Sequence, residues 1–126
     1  MPPDQSPAQH VIAAGEAIRA ANHATLDPAS LPAPGDVAET VLALCTLTDR
    51  LPQFLDQLAA AIVRHQRSGI VRMDSGEDPG PLVLEVETLL ADAESDLPDI
   101  TATLRKASGL LARMGTPYEA GSEGDE

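Results

Sequence analysis

The chain has 126 residues, the length of a single domain, and its 43% apolar content includes only two aromatic residues, Phe54 and Tyr118. A core built from Ala, Leu, Val and Ile favours close helix-on-helix packing over a β-sandwich. The formal net charge of −12 argues against direct binding to nucleic acid or to anionic membranes, whereas it is compatible with a basic protein partner.

The sequence predicts one helical domain over residues 7–114, between a disordered N-terminus, residues 1–6, and a disordered acidic tail, residues 115–126. Residues 1–9 contain neither the basic region nor the apolar core of a signal peptide, and no apolar run is long enough to span a bilayer. Cys45 is the single cysteine, so an internal disulfide is impossible. These features predict a cytoplasmic protein.

A first, short helix is predicted to begin with Ser6 as its N-cap and Pro7 in its first position, an order that helix starts favour. It runs to about Thr25 and is rich in Ala. The following segment, residues 27–35, contains three prolines and is predicted to be a stiff, non-helical connection.

Two long helices are predicted to follow. Asp36 is expected to cap the first, which stops at Gly69, because glycine is favoured just past a helix end. Residues 70–80 are rich in Gly, Asp and Pro and form a turn. The second long helix opens near Pro81 and closes before Gly115.

Both long helices carry an apolar stripe at alternating spacings of four and three residues, which is typical of coiled-coil packing. Folding the chain back at about Asp74 matches the two stripes in an antiparallel hairpin of nine layers. The predicted layers are Val37 with Leu111, Val41 with Ala107, Leu44 with Leu104, Thr48 with Ile100, Leu51 with Leu97, Leu55 with Ala93, Leu58 with Leu90, Ile62 with Val86, and His65 with Val83.

Pro52 and Pro98 lie inside the two long helices, and each removes one backbone hydrogen bond. Two outcomes fit the sequence: matched kinks at the same level of the hairpin, or breaks that give four shorter helices. The stripes keep their phase across both prolines, which favours kinks.

One side of the predicted hairpin has an apolar groove that the first helix is expected to fill. The groove residues are Leu47, Phe54, Ala61, Leu89 and Leu110, and the side chains that would be buried there are Val11, Ile12, Ile18 and Leu26. The fold class predicted is therefore all-α, a coiled-coil-like, proline-kinked antiparallel hairpin with a shorter N-terminal helix, completing a three-helix bundle.

The other side of the hairpin is predicted to expose a strip of small and aliphatic residues, which a soluble monomer rarely leaves bare. The strip comprises Ala38, Leu42, Cys45, Ala59, Val63, Leu84, Ala91 and Ala112, interrupted by Asp56, Glu87 and Glu94. The predicted function is a non-enzymatic interaction or assembly module, with a homodimer as one form of it. The predicted partner contacts are Leu42, Val63, Leu84, Glu87 and Glu94; the alternative is scattered exposed residues without a role.

Between Met73 and Leu104 the chain has nine acids and no base: Asp74, Glu77, Asp78, Glu85, Glu87, Asp92, Glu94, Asp96 and Asp99. One interpretation is a solvated helix face. A second makes the protein an acidic inhibitor, or a mimic of nucleic-acid phosphate, that binds a basic protein.

No motif predicts catalysis, a metal or a cofactor. The three histidines, His10, His23 and His65, lie far apart in sequence, without metal-ligand spacing. Cys45 lies among small apolar residues, with no base predicted within reach, so we expect it to pack as a small apolar side chain.

Residues 50–60, Arg-Leu-Pro-Gln-Phe-Leu-Asp-Gln-Leu-Ala-Ala, resemble a segment of small helical actinobacterial proteins of uncharacterised function, which implies no activity. The hairpin size also resembles the small WXG-type substrates of type VII secretion, which would make the chain a secreted hairpin. Both identifying motifs of that family are missing. The turn has Ser68-Gly69-Ile70 and no tryptophan, and Tyr118 is followed four residues later by Ser122 in place of Asp or Glu.

Overall fold

The computed structural model of the protein describes residues 5–117, and this part of the chain is all-helical. Helix α1 spans Pro7–Ala24, a short 3-10 turn covers Pro28–Ser30, α2 spans Pro34–Arg67 and α3 spans Gly80–Leu111. Residues 1–4 and 118–126 lie outside the described residues, and so do most of the two predicted terminal segments and the Tyr118 motif.

The start of α1 is as predicted. Ser6 is the N-cap, its hydroxyl accepts a hydrogen bond from the Gln9 amide, and the Gln9 side chain accepts one from the Ser6 amide. This reciprocal capping box satisfies two of the amides that a helix N-terminus leaves unpaired.

Helix α2 starts two residues before the predicted cap. Asp36 lies in its first turn, where its carboxylate accepts a hydrogen bond from the Ala33 amide at 3.1 Å. At the other end Gly69 has a φ of +76°, and its amide donates to the Gln66 carbonyl. A left-handed residue at this place is the common end of a helix, and glycine adopts it without strain.

Helix α3 opens after Asp78, whose carboxylate accepts a hydrogen bond from the Gly80 amide at 3.1 Å. Both long helices continue through their internal prolines, Pro52 in α2 and Pro98 in α3. The alternative of four shorter helices is therefore wrong.

Helices α2 and α3 pack closely against each other as the predicted antiparallel hairpin. The buried residues of the described chain all lie on these two helices: Cys45 is 2% exposed, Thr101 5% and Val83 8%. At mid-hairpin the hydroxyls of Thr48 and Thr101 lie 2.7 Å apart and share a hydrogen bond. We call the line of contact through these residues the seam.

Some of the predicted layers differ from the seam that forms. Thr48 contacts Thr101 rather than Ile100, and Ile100 is 49% exposed. Leu58 and His65, both assigned to layers, are also exposed. The physical reason is size: small side chains such as Cys45 and Thr101 let the helix axes approach closely, and the bulky aliphatic residues one position away lie beside the contact.

Helix α1 lies beside α2 but is not buried. The four side chains predicted to fill the groove, Val11, Ile12, Ile18 and Leu26, are all exposed. The prediction of their burial is wrong, because α1 borders α2 across open clefts instead of inserting between α2 and α3.

Candidate interaction surface

An ion pair identifies one side of the hairpin. The Arg105 guanidinium lies 3.7 Å from the Asp49 carboxylate, next to the hydrogen-bonded Thr48 and Thr101. Successive residues of a helix are rotated by about 100° around its axis. The ion pair therefore lies on one side of the seam, and the residues that directly precede Thr48 and Thr101 lie on the other side. Those residues are Leu47 and Ile100.

Large apolar side chains line this opposite side on both helices. We call it the open face and define it by five residues that are all exposed: Leu47, Leu58, Val86, Leu89 and Ile100. Their spacings, 11 residues in α2 and 3 and 11 residues in α3, keep them on one side of each helix. A continuous apolar surface therefore runs along the hairpin.

At the turn end of the hairpin the open face deepens into an apolar cleft of about 440 Å³. Ile62 of α2 and Val86 and Leu89 of α3 line it, together with Val71 and Met73 of the connecting segment. The shared cleft brings Ile62 near Val86, as predicted. No helix of this chain covers it among the described residues.

Near the middle of α2 a larger cleft of about 760 Å³ separates α1 from α2. Val11 and Ala14 line it from α1, and Leu47, Leu51 and Phe54 line it from α2. Because Val11 stays 51% exposed, α1 forms a loose wall at the edge of the open face and not a cover over it.

Of the five predicted partner contacts, three are exposed and two are half-buried. Leu42 and Leu84 are 58% and 63% exposed, and Glu87 is exposed as well. Val63 and Glu94, in contrast, are half-buried. Helical spacing places Leu42 and Leu84 on the same side as the Asp49–Arg105 pair. Val63 lies five helical turns after the buried Cys45 and therefore points toward the seam.

The predicted strip is also narrower than expected, since Cys45 is buried and Ala38 and Ala59 are half-buried. These three residues belong to the seam. The alternating spacing of four and three residues assigns Leu58 and Ile100 to layers of the hairpin, whereas both are exposed. The signal that identifies the seam is the seven-residue repeat of small side chains, Ala38, Cys45 and Ala59 in α2 with Thr101 and Ser108 in α3.

The chemistry of these surfaces is that of apolar contact. Among residues 5–117, no three His, Cys, Asp or Glu side chains are grouped so as to hold a metal ion. Within the same residues, no helix combines the length and apolar character needed to cross a bilayer. The Cys45 thiol is buried in the seam.

In comparisons with known proteins, no family model, no curated protein and no solved structure matches the chain.

Proposed function

We propose that this protein is a non-enzymatic interaction or assembly module that binds another protein chain through an apolar helical surface. One observation carries the proposal: among the described residues the buried apolar core consists of Cys45 and Val83, whereas fourteen large apolar side chains are exposed. Contiguous apolar surface of this kind marks protein-interaction sites.

The total exposed area supports the same proposal. A compact monomer of 13.1 kDa exposes about 6,400 Å², and this chain exposes 9628 Å². Residues 1–4 and 118–126, even if fully exposed, account for about 2,000 Å² of the difference. The remainder, about 1,200 Å², is larger than the area of about 800 Å² that a standard interface buries on each partner.

The test is quantitative affinity capture from the native host with three tagged chains: wild type, Leu89→Glu on the open face and Leu84→Glu outside it. Leu89 and Leu84 lie on the same helix and are 60% and 63% exposed, so the two variants add the same charge at matched positions. An interaction module loses a captured protein in one variant and keeps it in the other. Identical captured sets for all three chains contradict the proposal.

A second candidate function, the acidic inhibitor or mimic, is favoured by the run of nine acids between Met73 and Leu104. All but Glu94 of these acids are exposed. Binding of this kind weakens steeply as salt rises, because the charges that provide it are screened. Apolar docking on the open face is not expected to weaken as salt rises, so titration of any captured complex with salt separates the two functions.

A further inference from the structure

The open face of α3 alternates large and small side chains at seven-residue spacing: Val86, Ala93, Ile100 and Ala107. Seven residues are about two helical turns, so these four residues form one row. Val86 and Ile100 are 42% and 49% exposed, and Ala93 is exposed too. Three of the four residues are therefore exposed, and Ala107 is half-buried.

This alternation is complementary to itself when the row is reversed. If α3 is laid antiparallel on a second α3, Val86 meets the second copy's Ala107 and Ile100 meets the second copy's Ala93. Each large side chain then faces a small one, and an isologous interface repeats every contact twice about its two-fold axis. Alternation of large and small residues across facing positions is what lets helices interdigitate at native packing density.

The dimensions fit a stable dimer. Helix α3 has 32 residues, which corresponds to a length of about 48 Å at 1.5 Å per residue. Two helices about 9 Å apart make the hairpin about 18 Å wide, so the open face offers about 860 Å² per copy. A standard interface buries about 800 Å² per partner.

We propose that a second copy of this chain covers the open face, with the two α3 helices antiparallel and Ile100 of each copy packed on Ala93 of the other. This inference rests on the proposed interaction function and adds the identity of the partner and the pairing of residues. Asp96 lies seven residues after Leu89 and so falls on the same face, next to the centre of the pairing.

The oligomeric state tests whether a second copy of the chain covers the open face. Light scattering after size exclusion, at about 100 µM, is expected to give twice the chain mass of 13.1 kDa, since a dimer with a micromolar Kd is then mostly formed. Leu89→Glu is expected to raise the dimer Kd at least about tenfold, whereas Leu84→Glu changes it less than about threefold. Circular dichroism checks that both variants keep the wild-type helix content.

The pairing of residues has its own test, by exchange of a large and a small side chain. Ile100→Ala leaves a gap opposite Ala93, and Ala93→Ile makes two large side chains collide, so each single variant weakens the dimer. The double variant Ala93→Ile/Ile100→Ala restores a large-to-small contact and is expected to bring the Kd back to within about threefold of wild type. Ala93 and Ile100, the two exchanged positions, are both exposed in the monomer, so we expect its fold to tolerate the exchange.

A wild-type chain that stays monomeric at about 100 µM overturns the second copy as occupant, while the interaction function then stands or fails on the capture experiment alone. A dimer that is lost in Leu84→Glu and kept in Leu89→Glu overturns the open face as the interface. Failure of the double exchange to rescue the single variants overturns the antiparallel α3 pairing.

Discussion

The hydroxyl groups of Thr48 and Thr101 lie 2.7 Å apart across the seam, and their hydrogen bond has a direction. The Thr48 hydroxyl also contacts the Cys45 carbonyl at 3.2 Å. A hydroxyl has one proton to donate. Both contacts are satisfied together when Thr48 donates to the carbonyl and accepts from Thr101, and this is the direction that we infer.

The two threonines are expected to respond unequally to replacement by valine. Thr48→Val leaves the Thr101 hydroxyl, which is 5% exposed, without its acceptor, and costs about 1–3 kcal/mol. Thr101→Val leaves Thr48 bonded to the carbonyl and costs about 1 kcal/mol. Urea unfolding of both variants measures the difference.

The double variant Thr48→Val/Thr101→Val serves as the control for this pair. Replacing both partners removes the unsatisfied hydroxyl, so the double variant is expected to lose less stability than the sum of the single variants. Strict additivity would show that the two hydroxyls do not interact in solution.

The close approach of α2 and α3 at Cys45 makes this position sensitive to volume. Cys45 is 2% exposed, and a larger side chain must push the helices apart. We expect Cys45→Leu to destabilise the protein by about 1–3 kcal/mol, and Leu42→Ala, three residues away and 58% exposed, to change stability by less than about 0.5 kcal/mol. Thermal unfolding followed by circular dichroism measures both; equal losses contradict the proposed seam.

Glu94 is half-buried on the hairpin, whereas Glu87, two turns earlier, is exposed. Partial burial of a carboxylate is unfavourable, and removing it allows apolar contact in its place. Glu94→Leu is expected to stabilise the fold by about 1 kcal/mol, which raises the Tm by about 4 °C. Glu87→Leu, the matched control, should leave the Tm within about 2 °C of wild type; an equal rise in both would point to charge reduction alone.

Replacing two helical glycines by alanine tests whether α1 unfolds independently of the hairpin. A Cβ atom at Gly15 in α1 or at Gly109 in α3 meets nothing within 4 Å, and neither glycine has a positive φ. Alanine favours a helix over glycine by about 1 kcal/mol. We expect Gly109→Ala to raise the free energy of global unfolding by about this amount.

Gly15→Ala, in contrast, is expected to slow hydrogen exchange in α1 without a comparable change in the global unfolding free energy. The reason is that α1 is exposed along its whole length and contributes little to the seam. If Gly15→Ala stabilises the whole protein as much as Gly109→Ala does, α1 and the hairpin unfold as one unit.

Charge should oppose the proposed dimer. Each copy has a net charge of −12, and the antiparallel pairing brings Asp96 of the two copies close together. Raising the salt concentration from about 0.05 to 0.5 M shortens the screening length from about 14 Å to about 4 Å and is expected to tighten the dimer several-fold. Sedimentation equilibrium measures this dependence.

Asp96→Asn should tighten the dimer further than Asp92→Asn, although both variants remove one negative charge. Asp92 lies on the outer side of α3 and not in the open face, which makes it the matched control. A dimer that weakens with salt, or that responds equally to both variants, would contradict the antiparallel arrangement of α3.

How far the sequence predicts this fold depends on the kind of signal. The cap at Ser6, the stop at Gly69 and the antiparallel return of α3 on α2 are local or periodic features, and they appear where the residues place them. The cap of α2 lies three residues before the predicted Asp36, because Asp36 is in the first turn and accepts a hydrogen bond from the amide of the cap residue Ala33.

The sequence alone determined that two long amphipathic helices must pair, since the apolar repeat keeps one phase across both prolines. Which edge of each stripe forms the contact was decided only by the tertiary structure, because the apolar stripe is wider than one seam. Close packing favours the small side chains of Cys45 and Thr101 at the contact, at 2% and 5% exposure, and leaves the bulkier Ile100 outside. The open face therefore results from how the two helices pack against each other and not from a property of either helix alone.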